Sequence, residues 1–260
     1  MNKRDFLKGL ILFFPAGGVL GALAGELGAK EAAPAQTGTA GAAPKPGANA
    51  YDPKSHYYGM GVEIDKCIGC NRCVEACKAE NNVLREPFFF RTWIERYVIK
   101  KDGDVVVESI SVKSKASQDD ADVLRTFFVP KLCNHCVHPP CVQVCPVGAT
   151  FSTEDGVVLI DSERCIGCRY CIQACPYGAR YLDPRTKTAD KCSFCYHRVR
   201  QGLLPACVEV CPTQARIFGD LKSKASRLVR FARMNKIHVL KPQLNTEPKV
   251  YYAQLDGEVR

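Results

Sequence analysis

The chain has 260 residues, 16 of them cysteine, and a formal net charge of +9. That length makes one large domain or two small ones. A surplus of that size usually marks a nucleic-acid or anionic-membrane partner, but here all the cysteines fall into four quartets, so anionic metal clusters inside the chain are its counterpart and no nucleic acid is expected.

Residues 1–24 read as an export signal. Lys3, Arg4 and Lys8 give a charged start, Gly9 to Gly25 is uncharged and mostly apolar, and Ala22-Leu23-Ala24 is an A-x-A cleavage site. Asn2-Lys3-Arg4-Asp5-Phe6-Leu7-Lys8 resembles the twin-arginine (Tat) motif R-R-x-F-L-K, with Lys3 at the first arginine. That route carries folded, cofactor-loaded proteins and implies a periplasmic location. An uncleaved anchor is the alternative, although the stretch is short for a membrane span. Residues 25–58, rich in Ala, Gly and Pro, read as a flexible tether.

A domain over 59–220 follows, with an insert at 86–128. Met60 to Ile64 is a short strand leading into the first quartet. Cys67, Cys70, Cys73 and Cys77 run in Asp65-Lys-Cys67-Ile-Gly-Cys70-Asn-Arg-Cys73-Val-Glu-Ala-Cys77, and Lys78 lets the segment after Cys73 continue as a helix to about Asn82. In the insert, Phe88 to Ile99, Val105 to Val112 and Leu124 to Val129 are strands, and Ser114 to Asp122 is a polar loop. Phe88–Phe90, Trp93 and Phe127–Phe128 read as core or subunit-contact residues.

Cys133, Cys136, Cys141 and Cys145 make the second quartet. Ala149 to Ile160 is a hairpin turning at Asp155-Gly156. The third quartet, Cys165, Cys168, Cys171 and Cys175, is C-x2-C-x2-C-x3-C-P, the bacterial ferredoxin run for [4Fe–4S] clusters. Two-residue spacers let a tight loop aim successive sulfurs at neighbouring irons. Gly167 removes a side chain where backbone passes close to the cube, and Pro176 stops a helix there. Cys192, Cys195, Cys207 and Cys211 complete the set. The first quartet matches the third and the second echoes the fourth, so the order is A-B-A-B, an internal duplication.

Sixteen ligands at four per cube make four [4Fe–4S] clusters. Each oxidised core with four thiolates carries a charge of about −2, enough in sum to offset most of the basic surplus. Disulfides do not require this spacing followed by proline, and zinc pairs do not require third and fourth cysteines at these offsets. His135 and His138 sit among complete quartets and read as structural. Residues 221–260 form a tail: a basic helix over Ser223 to Asn235, with Ala225, Leu228, Phe231 and Ala232 on one side, then a strand over Lys249 to Leu255.

The four-quartet pattern resembles the iron–sulfur electron-transfer subunit of the complex iron–sulfur molybdoenzymes, the dimethyl sulfoxide reductase type, and its relatives in respiratory membrane complexes, over about residues 58–255. The resemblance implies an α+β fold of two fused 2[4Fe–4S] ferredoxin-like modules, with short helices, small antiparallel sheets and long loops. It also implies that quartets pair first with fourth and second with third, exchanging last ligands. One cube would take Cys67, Cys70, Cys73 and Cys211, and a second Cys192, Cys195, Cys207 and Cys77. A third would take Cys133, Cys136, Cys141 and Cys175, and the last Cys165, Cys168, Cys171 and Cys145. Implied partners are a polytopic quinone-interacting membrane subunit and a molybdopterin catalytic subunit or a cytochrome c subunit, in anaerobic respiration of the tetrathionate or polysulfide reductase type. A molybdenum-free, menaquinone-linked sulfur-metabolism complex of the sulfite-reduction-associated type is the alternative. The chain carries no Ser-His-Asp arrangement, phosphate loop or dinucleotide fingerprint, so it reads as a non-catalytic subunit. A free soluble periplasmic polyferredoxin is the rival reading.

Overall fold

The computed structural model describes residues 51–86, 89–109 and 122–259. The export segment, residues 25–50 of the tether, Phe88 and residues 114–121 of the polar loop lie outside the described residues.

The central sheet is built on β1 (Tyr58–Glu63). Its sequence, Tyr-Gly-Met-Gly-Val-Glu, alternates large and absent side chains, and a strand sends these to opposite faces. Tyr58, Met60 and Val62 enter the main core. Gly59 and Gly61 leave the other face bare, and a C-terminal helix, α6 (Arg227–Met234), lies there: a Cβ on Gly61 would stand 2.8 Å from the Phe231 ring, and one on Gly59 3.1 Å from Leu228.

After β1 come α1 (Arg72–Glu80), then β2 (Thr92–Lys100), β3 (Val105–Ser109) and β4 (Val123–Leu132), which form an antiparallel sheet in the order β3-β2-β4. The insert is therefore a sheet of its own and runs on to Leu132, beyond the expected end at residue 128. Two small hairpins follow. β5 (Thr150–Ser152) pairs with β6 (Val158–Ile160), and β7 (Arg180–Asp183) pairs with β8 (Thr188–Lys191). Four single-turn helices carry or adjoin the later cysteines: α2 (Pro140–Gln143), α3 (Tyr170–Gln173), α4 (Tyr196–Val199) and α5 (Ala206–Glu209). Pro146, Pro176 and Pro212 follow the last cysteines of the second, third and fourth quartets, where helices stop after four residues. Lys78 stands in that place in the first quartet, and α1 runs for nine.

β9 (Arg216–Asp220) pairs antiparallel with β1, α6 (Arg227–Met234) crosses both, and β10 (Ile237–His238) and β11 (Val250–Ala253) complete the sheet in the order β10-β11-β1-β9. β11 runs parallel to β1. The C-terminal segment is thus half of the central sheet. Its helix begins later than the sequence suggests, because Ser226 caps it by accepting from the Leu228 N–H. Ala225 precedes the cap and is exposed; Leu228 and Phe231 are buried as expected.

The tether also ends sooner than composition predicts. Residues 51–58 are packed: the Tyr51 hydroxyl donates to Asp155, Asp52 caps the turn Pro53–Ser55, and His56 meets Asp220 at 2.8 Å. Tyr51, His56, Tyr58 and Phe218 stack in series, with ring centroids 5.3, 5.5 and 5.3 Å apart. Aromatic rings bury large areas, so this short aromatic cluster outweighs the entropy that keeps an Ala/Gly/Pro chain loose.

Candidate functional site

The cysteines gather in groups drawn from distant parts of the chain. One cavity is lined by Cys67, Cys70, Cys73 and Cys211, closed by Ile94 and Pro130 of the insert sheet. A second is lined by Cys133, Cys136, Cys141 and Cys175. α1 packs on α5 and α2 on α3, which brings the first quartet to the fourth and the second to the third. Asn81 ties Cys77 to Cys195, its amide reaching both sulfurs at 3.6 Å. Cys165 accepts from the Ala189 N–H at 3.4 Å and packs in one apolar cluster with Cys141 and Cys171.

The turns after the last cysteines do more than end helices. Burial acts to raise the Cys145 thiol, yet the backbone N–H groups of Thr150, Val147, Ala149 and Gly148 bring it below the ordinary range. The turn after Cys211 does the same through Arg216, Ala215 and Thr213. Elsewhere burial dominates. It pushes Cys67, Cys141 and Cys207 up to about 11 and Cys136 up to about 12. Iron is bound by thiolates, and positive charge inside the protein favours that anionic form.

The protein supplies it. Among the described residues, the buried charged side chains are six cations, Lys78, Lys131, Arg180, Lys191, Arg216 and Lys249, and two carboxylates, Asp155 and Asp183. Lys131 is matched by Glu95 at 2.6 Å. Arg180 puts Nη2 2.8 Å from the Cys141 sulfur. Its Nε, and Nη1 of Arg216, are buried with no protein partner. Buried cations with no carboxylate partner are costly, and a [4Fe–4S] cluster, anionic once its four thiolates are counted, answers that cost. The donor set, cavity lining and orphaned N–H groups all fit the cluster, which would supply one-electron chemistry when bound.

Two glycines shape the loops. Gly167 has φ +69° and a Cβ there would stand 2.4 Å from the Lys187 carbonyl oxygen. The close neighbour is therefore the β7–β8 turn, where the sequence alone suggested the cube. Gly69, its counterpart in the first quartet, has φ +67° and lies under the Phe128 ring. His138 is exposed and near Glu247. His135 is fully buried, accepts the Val158 N–H at Nδ1 (3.1 Å) and stacks on Phe194 with centroids 3.7 Å apart. Burial and the nearby Lys191, Lys249 and Arg180 hold it neutral. His135 lies between Cys133 and Cys136, and Phe194 between Cys192 and Cys195, so this stack joins equivalent loops of the two cysteine groupings.

Arg180, Lys191, Arg216 and Lys249 were not singled out in the sequence, yet the repeat Cys175-Pro-Tyr-Gly-Ala-Arg180 and Cys211-Pro-Thr-Gln-Ala-Arg216 would have found the two arginines.

Paired cysteine groupings around anion-compensating interiors define an iron–sulfur electron carrier with ferredoxin-like modules. Models of the 4Fe-4S dicluster domain match residues 66–149 and 124–221. The chain is 46% identical over 203 residues to the B subunit of tetrathionate reductase from Salmonella typhimurium, covering 77% of this chain and 74% of that protein. It is 39% identical to a putative iron–sulfur B subunit of dimethyl sulfoxide reductase from Halobacterium salinarum (78% and 80% covered) and 40% identical to protein NrfC of Escherichia coli (78% and 83%). The chain belongs to the family of iron–sulfur subunits of molybdoenzyme-type reductase complexes.

Proposed function

We propose that the chain is a periplasmic wire of four [4Fe–4S] cubes, relaying single electrons between a quinone-reactive polytopic membrane subunit and a catalytic partner. The cube ligands are the four sets named above. The observation that carries the reading is the gathering of Cys67, Cys70 and Cys73 with Cys211, and of Cys133, Cys136 and Cys141 with Cys175. The stacked loops of His135 and Phe194 support a path between the second and third cubes. Cys70 and Cys168, in the first and fourth sets, are exposed, each with an exposed isoleucine nearby, Ile68 and Ile166. Electrons would enter and leave at those two ends.

The segment Asn2 to Lys8 and the apolar run after it support the periplasmic location. The likeness to a tetrathionate reductase subunit supports a molybdopterin-type reductase of a sulfur compound as the catalytic partner; a cytochrome c partner is the alternative.

The test is purification of the native complex through this chain in mild detergent, with metal and haem analysis. About 16 irons per chain, membrane subunits and a large molybdenum- or tungsten-containing partner are expected. Haem without either metal moves the chain to a molybdenum-free complex. Recovery of the chain alone in soluble form overturns the wire in favour of a free carrier.

A further inference from the structure

Arg180 and Arg216 stand five residues after the last cysteine of the third and fourth quartets, in the shared sequence C-P-x-x-A-R. Both are almost wholly buried. Each donates to a threonine hydroxyl, Arg180 Nη1 to Thr150 at 3.2 Å and Arg216 Nη2 to Thr92 at 2.8 Å. Each lines one cube cavity: Arg180 with Cys133, Cys136, Cys141 and Cys175, Arg216 with Cys67, Cys70, Cys73 and Cys211. Each also bears on a cysteine of the other cube of its module, Arg180 on Cys171 and Arg216 on Cys207. Each keeps one buried N–H with no protein partner.

We infer that Arg180 and Arg216 are potential-setting residues, each bridging the two cubes of its own module and holding both in a form that is easier to reduce. This rests on the ligand assignment proposed above. The argument is electrostatic. Adding one electron makes a cube more negative by one charge, and a fixed guanidinium in a low-dielectric interior favours the more negative form. A guanidinium also cannot lose its proton under any ordinary condition, so the bias is constant. Because the charge of each arginine acts on thiolates of both cubes, the effect is pairwise: the potentials of neighbours move together, which keeps the step between them level.

The test is an anaerobic redox titration of the full chain, followed by electron paramagnetic resonance, for wild type, Arg180→Met, Arg216→Met and Arg180→Lys. Arg180→Met is expected to lower the potentials of two cubes and Arg216→Met those of the other two. Loss of a charge-assisted bond shifts the oxidised-to-reduced ratio at a fixed poise by tenfold or more, about 59 mV for one electron. Arg180→Lys keeps the charge and is expected to stay near wild type. Four unchanged potentials with iron retained, or four that fall equally, overturn the inference. If Arg180→Met does not load iron, Arg180→Lys decides: a pairwise fall of that size with the charge still present overturns it, and wild-type potentials support it. Fewer than about 16 irons in the wild-type chain would instead sink the four-cube assignment, independently of the arginines.

Discussion

The contact between Gly61 on β1 and Phe231 on α6 can be tested by a double-mutant cycle. Phe231 is 5% exposed and its ring fills the space where a Gly61 Cβ would stand, at 2.8 Å. Phe231→Ala removes a buried ring from one side of the sheet and should destabilise the protein by about 3–5 kcal/mol. Gly61→Ala adds a methyl into that ring and should cost about 1–3 kcal/mol by overpacking. In the double variant the methyl enters the space the ring has left, so the two costs should fall short of their sum by at least ~1 kcal/mol. The assay is anaerobic denaturant unfolding of the iron-loaded chain, followed by visible absorbance and circular dichroism. Neither residue is a proposed ligand, so iron content should match wild type in all four proteins. Additivity to within about 0.5 kcal/mol would refute the packing of α6 on bare glycine. Loss of iron in the single variants would refute the separation of this face from the clusters.

Gly167→Ala should be far more damaging than Gly178→Ala. Both glycines have positive φ, so each variant carries a left-handed penalty of ~1–2 kcal/mol, but only at Gly167 does the new methyl meet a carbonyl oxygen, 2.4 Å away; comparing iron content and melting temperature of the two variants measures this. The His197 hydrogen bond does most to hold the Glu80 carboxyl below its ordinary range, helped by Arg198 and opposed by burial. A carboxylate depressed in the folded state stabilises above its unfolded pKa, about 4.3, and that contribution disappears as pH falls through the folded value. Glu80→Gln should therefore unfold with a shallower acid dependence below about pH 4.3 than wild type. Asp190 pairs with Arg91 through two contacts, at 2.8 and 2.9 Å, with both side chains about four-fifths buried. Asp190→Asn should cost about 3 kcal/mol in unfolding free energy, and an unchanged denaturation midpoint would count against the pair.

The ligands were legible because cluster chemistry imposes its spacing on the sequence directly: Cys165 to Cys175 can be read without a fold. β1 and the hairpin at Asp155-Gly156 were legible from alternation and turn chemistry. The β7–β8 hairpin was not, because its two four-residue strands, Arg180–Asp183 and Thr188–Lys191, are short and rich in charged residues and show no apolar period. The tail strand β11 was legible as a strand, but its partner was not: a parallel pairing across nearly the whole described chain leaves no local trace. Nor did composition separate Arg180 and Arg216 from the other basic residues, since burial is decided by the assembled fold. Residues 51–58 were missed because a window average blends Tyr51, His56, Tyr57 and Tyr58 into the Ala-rich stretch before them.

The placement of β1 sets the order in which the protein can be made. The first strand of the described residues to leave the ribosome lies between β9 and β11, so its hydrogen-bonding partners are Arg216–Asp220 and Val250–Ala253. Contacts of such long sequence separation form late. Until Cys211 and β9 emerge, β1 has an edge on each side and Cys67, Cys70 and Cys73 lack the neighbour that Cys211 becomes; the second edge stays open until Val250–Ala253 follow. The chain must therefore be translated at least through Cys211 before the first cysteine grouping is assembled, and any factor that completes a cluster there would meet all four quartets.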